Sequence, residues 1–318
     1  MDDLALLDRR RLRSRLAFWR FAAIAIALIA VLAAVLLLGS SSSRQAVPHV
    51  ARVTISGLIQ DDRELLERLD AIEKSDAVKA LVVSISSPGG TTYGGEAIYK
   101  ALRRISAKKP VVADIRTLAA SAGYMIAIGA DHIVAGETSI TGSIGVIFQY
   151  PQIKPLLDKL GVSLEEIKSA PLKAEPSPFH PASPEAQAMI KAMIDDSFGW
   201  FVDRVAERRG MDPAAARQLA DGRILTGRQA KAAGLVDDLG GDPEIKAYLE
   251  TRKIDKELPL IEWRAPSTGL PFGLGSLANA LAERAGSQFF QSFQGIEKHI
   301  TDKLFLDGMV SVWQVEPR

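Results

Sequence analysis

The chain of 318 residues has no cysteine, which excludes a disulfide framework, a thiol nucleophile and thiolate zinc sites. It is also poor in histidine. The four it has (His49, His132, His180 and His299) are scattered and form neither HExxH nor HxH, so no metal site is expected. Charge of one sign is lacking as well: 39 Lys and Arg stand against 38 Asp and Glu, and a formal net charge of +1 points to neither nucleic acid nor an acidic partner. The GxxxxGK[ST] pattern of a phosphate loop is absent, no internal repeat is visible, and no cofactor is expected.

What the chain does have is unevenly placed. "DRRRLRSRLAFWR" (8–20) carries six arginines, and "FAAIAIALIAVLAAVLLL" (21–38) follows with eighteen residues free of charged or polar side chains. As a helix that run would be roughly 27 Å long, close to the thickness of a bilayer core. Trp19 and Arg20 sit where an interfacial anchor belongs, and the arginine flank predicts that residues 1–20 stay in the cytoplasm while the rest is exported. A retained single-pass anchor is favoured over a cleaved signal peptide. The run exceeds a typical h-region, and "LLLGSSSSRQA" makes a poor small-x-small cleavage site. A buried core helix is disfavoured by the arginine flank and by apolar residues all round.

Residues 39–50 are a polar linker, and 51–263 alternate between strand and helix patterns. "ARVTISGLI" (51–59), "VKALVVSIS" (78–86), "PVVADI" (110–115), "DHIVAG" (131–136) and "IGVIFQY" (144–150) read as strands. Helices are expected at 62–75, 94–106 and from near Ser121. The near-continuous apolar run at 78–86 marks a strand covered on both faces, and the rhythm argues an α/β fold with a mostly parallel sheet and helices on its faces. Beyond Ala170 come a Pro-rich stretch, a long amphipathic helix at 184–209 and small helical units. A tail of different texture occupies 264–318, with an amphipathic segment that docks on the domain, on a membrane surface or on another subunit.

Three stretches carry possible chemistry. In "SISSPGGTTYGG" (84–95) a buried strand runs into Gly89 and Gly90, whose backbone N–H groups can face a ligand. "TLAASAGYMIAIG" (117–129) sets Ser121 among small and apolar residues, and a serine hydroxyl needs a base before it becomes a nucleophile. His132 is a poor base, since it opens a strand and no orienting acid accompanies it. In "KSAPLKAEPSPF" (168–179) Lys173 stands in an extended segment among Pro171, Leu172, Ala174 and Pro176. An amine held there without water is expected to lose its proton more readily. Lysine needs no third residue to set a tautomer, and Ser143 in "SITGSIGVI" has a hydroxyl that would hold its amine; the ordinary reading of that serine is a turn former.

Ser-Pro-Gly-Gly after a buried strand, Ser121 opening a helix, "TGSIGV" about twenty residues on and Lys173 about fifty on together resemble the signal peptide peptidase SppA family. "ADGRILTGRQAKAAGLVDDLGG" (220–241) is similar to that family's closing segment, and the resemblance spans about residues 50–250. It implies a Clp protease/crotonase-like fold in a short form with one catalytic unit per chain, a bacterial inner-membrane setting with the catalytic domain extracytoplasmic, and a homo-oligomer. It implies Ser121 as nucleophile, Lys173 as general base, Ser143 orienting the amine, and Gly89 or Gly90 with Ala122 supplying oxyanion-hole N–H groups. The reaction it implies is serine endopeptidase cleavage of remnant signal peptides. Two departures stand out: Ser-Ala-Gly replaces Ser-Gly-Gly at the nucleophile, and Ser169-Ala170 replaces a Ser-Gly before the lysine. Two other readings compete: a crotonase-type acyl-CoA enzyme with Glu96 or Glu137 in its site, and a non-catalytic membrane scaffold of the same fold.

Overall fold

The computed structural model describes residues 19–29, 47–264 and 310–312. Two compact units divide the chain, residues 1–48 with 268–286, and residues 49–267 with 287–318. In the first unit, residues 19–29 are helical (α1), with Phe21, Ile24, Ile26, Leu28 and Ile29 exposed. Among the described residues no helix is long and apolar enough to cross a membrane, and the expected span of 21–38 extends beyond them.

The second unit is built on a sheet whose central strands are β1 (His49–Ile59), β2 (Val78–Thr91) and β3 (Val111–Ala120), all parallel. β2 is buried at all but a few positions along its first ten residues, as its near-continuous apolar run requires. α2 (Arg63–Lys74) and α3 (Thr92–Ser106) make the crossovers that parallel strands need. Each helix is started by a side-chain cap: Asp62 accepts from the Leu65 N–H, and Thr91 from the Gly94 N–H. α2, α3 and α4 (Ala122–Ala127) pack on one face of the sheet, where Leu69, Ile72, Leu102, Ile105 and Met125 are wholly buried, and α6 (Pro184–Arg209) joins that core through Phe201 and Val205. The other face is covered over its N-terminal half by Ile245 and Leu249 of α9 (Asp242–Thr251), against Val50, Val82, Val112 and Val134.

Two strands change neighbours along their length. β3 pairs with β4 (His132–Ala135) through residues 112–115 and then with β5 (Ile140–Gly142) through residues 118–120. β2 pairs with β3 as far as Ser87 and Ala119, and beyond that point Gly89–Thr91 lie antiparallel to β9 (Val310–Val312). The sheet therefore splits at the C-terminal ends of β2 and β3. The strand expected at 144–150 is not formed; the strand in that region is β5, earlier and shorter, because its partner β3 runs out at Ala120. β6 (Ile224–Thr226) then closes the edge antiparallel to β5.

One buried carboxyl sits inside this sheet. Asp114 of β3 is 2% exposed, takes a 3.0 Å hydrogen bond from the Ser84 hydroxyl and lies 3.5 Å from Arg116 Nη1. Burial raises its pKa and outweighs both partners. A carboxyl raised in the folded state contributes stability that is fully present below its unfolded pKa, near 3.9, and is lost as pH rises through the folded value. Asp114→Asn is therefore expected to raise the urea midpoint at pH 7 and to leave it unchanged near pH 3. A variant destabilised equally at both pH values would show that the ionised carboxylate is not under strain.

Candidate active site

Ser121 occupies the single residue between β3 and α4. It is 1% exposed, with φ 57 and ψ −117, a backbone conformation natural to glycine and strained for a residue with a side chain. Its N–H donates to Gly142 O at 2.8 Å, and its carbonyl accepts the Met125 N–H at 2.9 Å as the first turn of α4 forms. Thr141 Oγ1 donates to Ala119 O at 2.8 Å, which ties β5 to the strand leading into the corner.

Small residues around Ser121 answer to close approach. A methyl group on Gly123 would come 3.1 Å from Ser87 O, and one on Gly95 would come 3.1 Å from the Ala122 Cβ and 2.9 Å from Met125 Sδ. Ala122 thus stands where the resembling family often has glycine, and its methyl is accommodated by Gly95 on α3. The substitution keeps the backbone N–H at this position. Ala122 opens α4, and the first N–H groups of a helix have no intrahelical acceptor.

The glycine pair lies at the split of the sheet. Gly90 approaches β1 so closely that a Cβ would sit 1.9 Å from Ile59 O, and Gly89 has φ 116. The Ser87 hydroxyl donates to Gly57 O at 2.6 Å and accepts the Gly89 N–H at 3.1 Å. Of the two glycine donors expected from the sequence, Gly89 is thereby already engaged. The strand, expected to end in a turn at Ser-Pro-Gly-Gly, instead runs through it to Thr91.

Ser143 follows β5 with φ 50, is 8% exposed, and its N–H donates to Arg223 O at 2.7 Å. Arg223 is fixed in turn by Asp221, whose two carboxylate oxygens take its Nε at 2.8 Å; those bonds pull the Asp221 pKa down to about 2. Neither residue was distinguished by sequence. The group that matters is the Arg223 carbonyl, which any residue would supply. Ser121, Gly142 and Ser143 are so brought together through the β3–β5 pairing.

Lys173 is placed differently from expectation. It lies in a turn over residues 171–174, not an extended segment, and it is exposed together with Pro171, Leu172 and Ala174. The water-poor surroundings expected for its amine are not supplied by its own sequence neighbours. His132 opens β4, stacks on Tyr248 with ring centroids 4.1 Å apart and lies 3.0 Å from Asp238, a framework role. Glu96 is paired with Lys100 on α3, and Glu137 with Arg228 at 3.0 Å, so each carboxylate is engaged by a basic side chain.

The strain at Ser121 has a measurable consequence. Ser121→Gly and Ser121→Ala both remove the hydroxyl, but only glycine relaxes the corner. Ser121→Gly is expected to be more stable than Ser121→Ala by about 1 kcal/mol in urea unfolding. Equal stability of the two variants would mean that the corner is unstrained.

Comparison with known proteins covers the same region. The profile described as peptidase family S49 matches residues 103–254, and that described as Clp protease matches residues 46–134. A putative protease of Synechocystis sp. is 41% identical over 204 residues, 64% of this chain and 73% of the relative. The putative signal peptide peptidase SppA of Enterococcus faecium is 35% identical over 251 residues, 74% and 72% of the two chains. A putative protease of Methanocaldococcus jannaschii is 34% identical over 215 residues, 68% and 69%.

Proposed function

The chain belongs to peptidase family S49 and is a serine-type peptidase, and from that premise we propose that it is a membrane-anchored endopeptidase that degrades remnant signal peptides with a Ser121–Lys173 dyad. The observation that carries the reading is the corner at Ser121: a buried serine held at φ 57 where β3 ends and β2 runs on past it. An extended peptide that took the place of β9 along Gly89–Thr91 would bring its carbonyl to the serine. Lys173 would accept the Ser121 proton as the hydroxyl attacks, with Ser143 holding the amine. The N–H groups of Ala122 and Gly90, with Gly89 once its bond to Ser87 is exchanged, would stabilise the oxyanion; one such donor contributes about 10²–10³ in rate.

The exposure of Lys173 bears on how the dyad is completed. A base must be neutral, and an ammonium becomes so when it is taken out of water. The segment around it carries Leu156, Leu160, Val162, Leu164, Ile167 and Leu172 exposed, an apolar surface of the kind that marks an interface. A homo-oligomer that covers this surface would remove water from Lys173, whether the amine then meets Ser121 of its own chain or of the next. The arginine-flanked run at 21–38 would hold the assembly at the bacterial inner membrane, catalytic units outside, where cleaved signal peptides are left. Apolar substrates suit a site that reads backbone by strand pairing and leaves side chains to shallow pockets.

Against an apolar reporter peptide, Ser121→Ala and Lys173→Ala are each expected to lower kcat/KM by about 10⁴-fold or more with the fold retained by circular dichroism. Mixing the two inactive variants decides the pairing, since activity returns only where serine and lysine come from different chains. An active Lys173→Ala would remove the dyad.

A further inference from the structure

The segment that carries Lys173 has no core of its own. Within residues 161–182 only Ser177 is buried, so polar contacts must hold its shape. These contacts are concentrated at one neck. Lys168 Nζ lies 2.6 Å from Glu166 Oε2 and 2.7 Å from Glu175 Oε1, while His180 Nε2 is 3.2 Å from the same Glu175 oxygen and 3.4 Å from Lys168 Nζ. Glu175 is the most enclosed of the set, with its side chain 5% exposed. The Lys168 ammonium holds both carboxyls below their usual range, and they hold its own pKa above the usual value.

Further bonds fasten the neck to the chain on either side. The Ser177 N–H donates to Glu175 Oε2 at 3.3 Å, the Ser177 hydroxyl to Glu166 Oε1 at 3.4 Å, and the Phe179 N–H to Ser177 Oγ at 3.2 Å. The Ile153 N–H donates to Pro178 O at 2.8 Å and Gln152 Nε2 to His180 O at 2.9 Å, so the neck is tied to the residues that enter α5 (Lys154–Leu160). Between Lys168 and Glu175 the chain makes its turn: the Lys173 N–H donates to Ala170 O at 3.1 Å, and Ala174 follows at φ 60. That is a left-handed conformation which an alanine rarely adopts, so the turn needs closure from outside itself. The neck supplies it.

We propose that Lys168, clasped between Glu166 and Glu175, is a positioning residue that closes the loop at its neck and thereby fixes where the turn presents Lys173. The role rests on the reading of Lys173 as the base. It is separate from the dyad chemistry: Lys168 keeps its proton throughout and acts through the geometry of the turn.

The test uses the full chain in detergent, the same reporter peptide, and hydrogen exchange read by mass spectrometry on peptides covering residues 166–180. In Lys168→Met the two carboxylates lose the ammonium between them and keep only His180 beside them. Exchange across 169–176 is expected to quicken and kcat to fall by about 10–10²-fold, as misplacement of a reacting group does, with KM held within about twofold and the thermal midpoint of the domain unmoved. Lys168→Arg restores both readouts. Unchanged exchange in Lys168→Met overturns the clasp, and a rise in KM with kcat kept assigns the neck to substrate binding instead. An inactive Lys173→Ala beside a fully active Lys168→Met overturns this inference alone. A fully active Lys173→Ala overturns the dyad and this inference with it.

Discussion

A serine with φ 57 at a strand–helix junction is the constraint on which the catalytic unit turns. Such a residue costs on the order of 1–3 kcal/mol and persists only where its surroundings over-determine it. Here β5 grips the Ser121 N–H through Gly142, α4 starts on its carbonyl, and the neighbouring backbone is pressed against β2 at Gly123 and against α3 at Gly95. The corner changes the direction of the chain within one residue. On the proposed reading, the hydroxyl and the first N–H of α4 then share one space beside the end of β3, which regular strand or helix geometry would not allow.

The split of the sheet provides that space. Were β3 to continue beside β2 beyond Ala119, it would take the edge of Gly89–Thr91 along which β9 lies antiparallel, and no other strand could pair there. Because β3 ends in the corner and passes its far edge from β4 to β5, β2 runs on past β3 with β1 on one side and β9 in place of β3 on the other. The close approach of Gly90 to Ile59 then matters for the opposite edge, since it fastens that extension to β1 and keeps it straight. Strain at one residue and a strand edge released from β3 are two results of the same termination of β3.

Much of this framework is legible in the sequence, for a definite reason. A strand buried on both faces must be apolar throughout, so 78–86 declares itself, and Asp62 before an apolar period of helical spacing marks the start of α2. Ser121 is conspicuous because a serine among alanines and glycines serves no packing purpose. Other features cannot be read this way. "IGVIFQY" is apolar as a strand would be, yet Ile147 and Tyr150 are exposed, and nothing in one chain's sequence distinguishes a residue buried in a core from one left on a surface. The same ambiguity misleads at Lys173, where apolar neighbours in sequence do not cover the amine in space. The Arg223 carbonyl beside Ser143 is invisible in principle, because backbone groups carry no residue identity.

On the proposed dyad, the two halves of the reaction rest on opposite kinds of structure. Ser121 is set in the densest part of the fold, where its position follows from packing and can hardly vary. Lys173 sits on a segment with one buried residue, shaped by a cluster of charges and bordered by apolar side chains in water. A nucleophile gains from rigidity because attack demands alignment. A base that must be neutral gains from being uncovered until it is needed, since in water its ammonium remains charged and the serine remains inert. If cover comes from neighbouring copies, catalytic competence is a property of the assembly, and a lone subunit is a folded but silent unit. The charge clasp at the neck suits such an arrangement: it keeps the turn in shape while its apolar flanks wait for a partner, with no core to depend on.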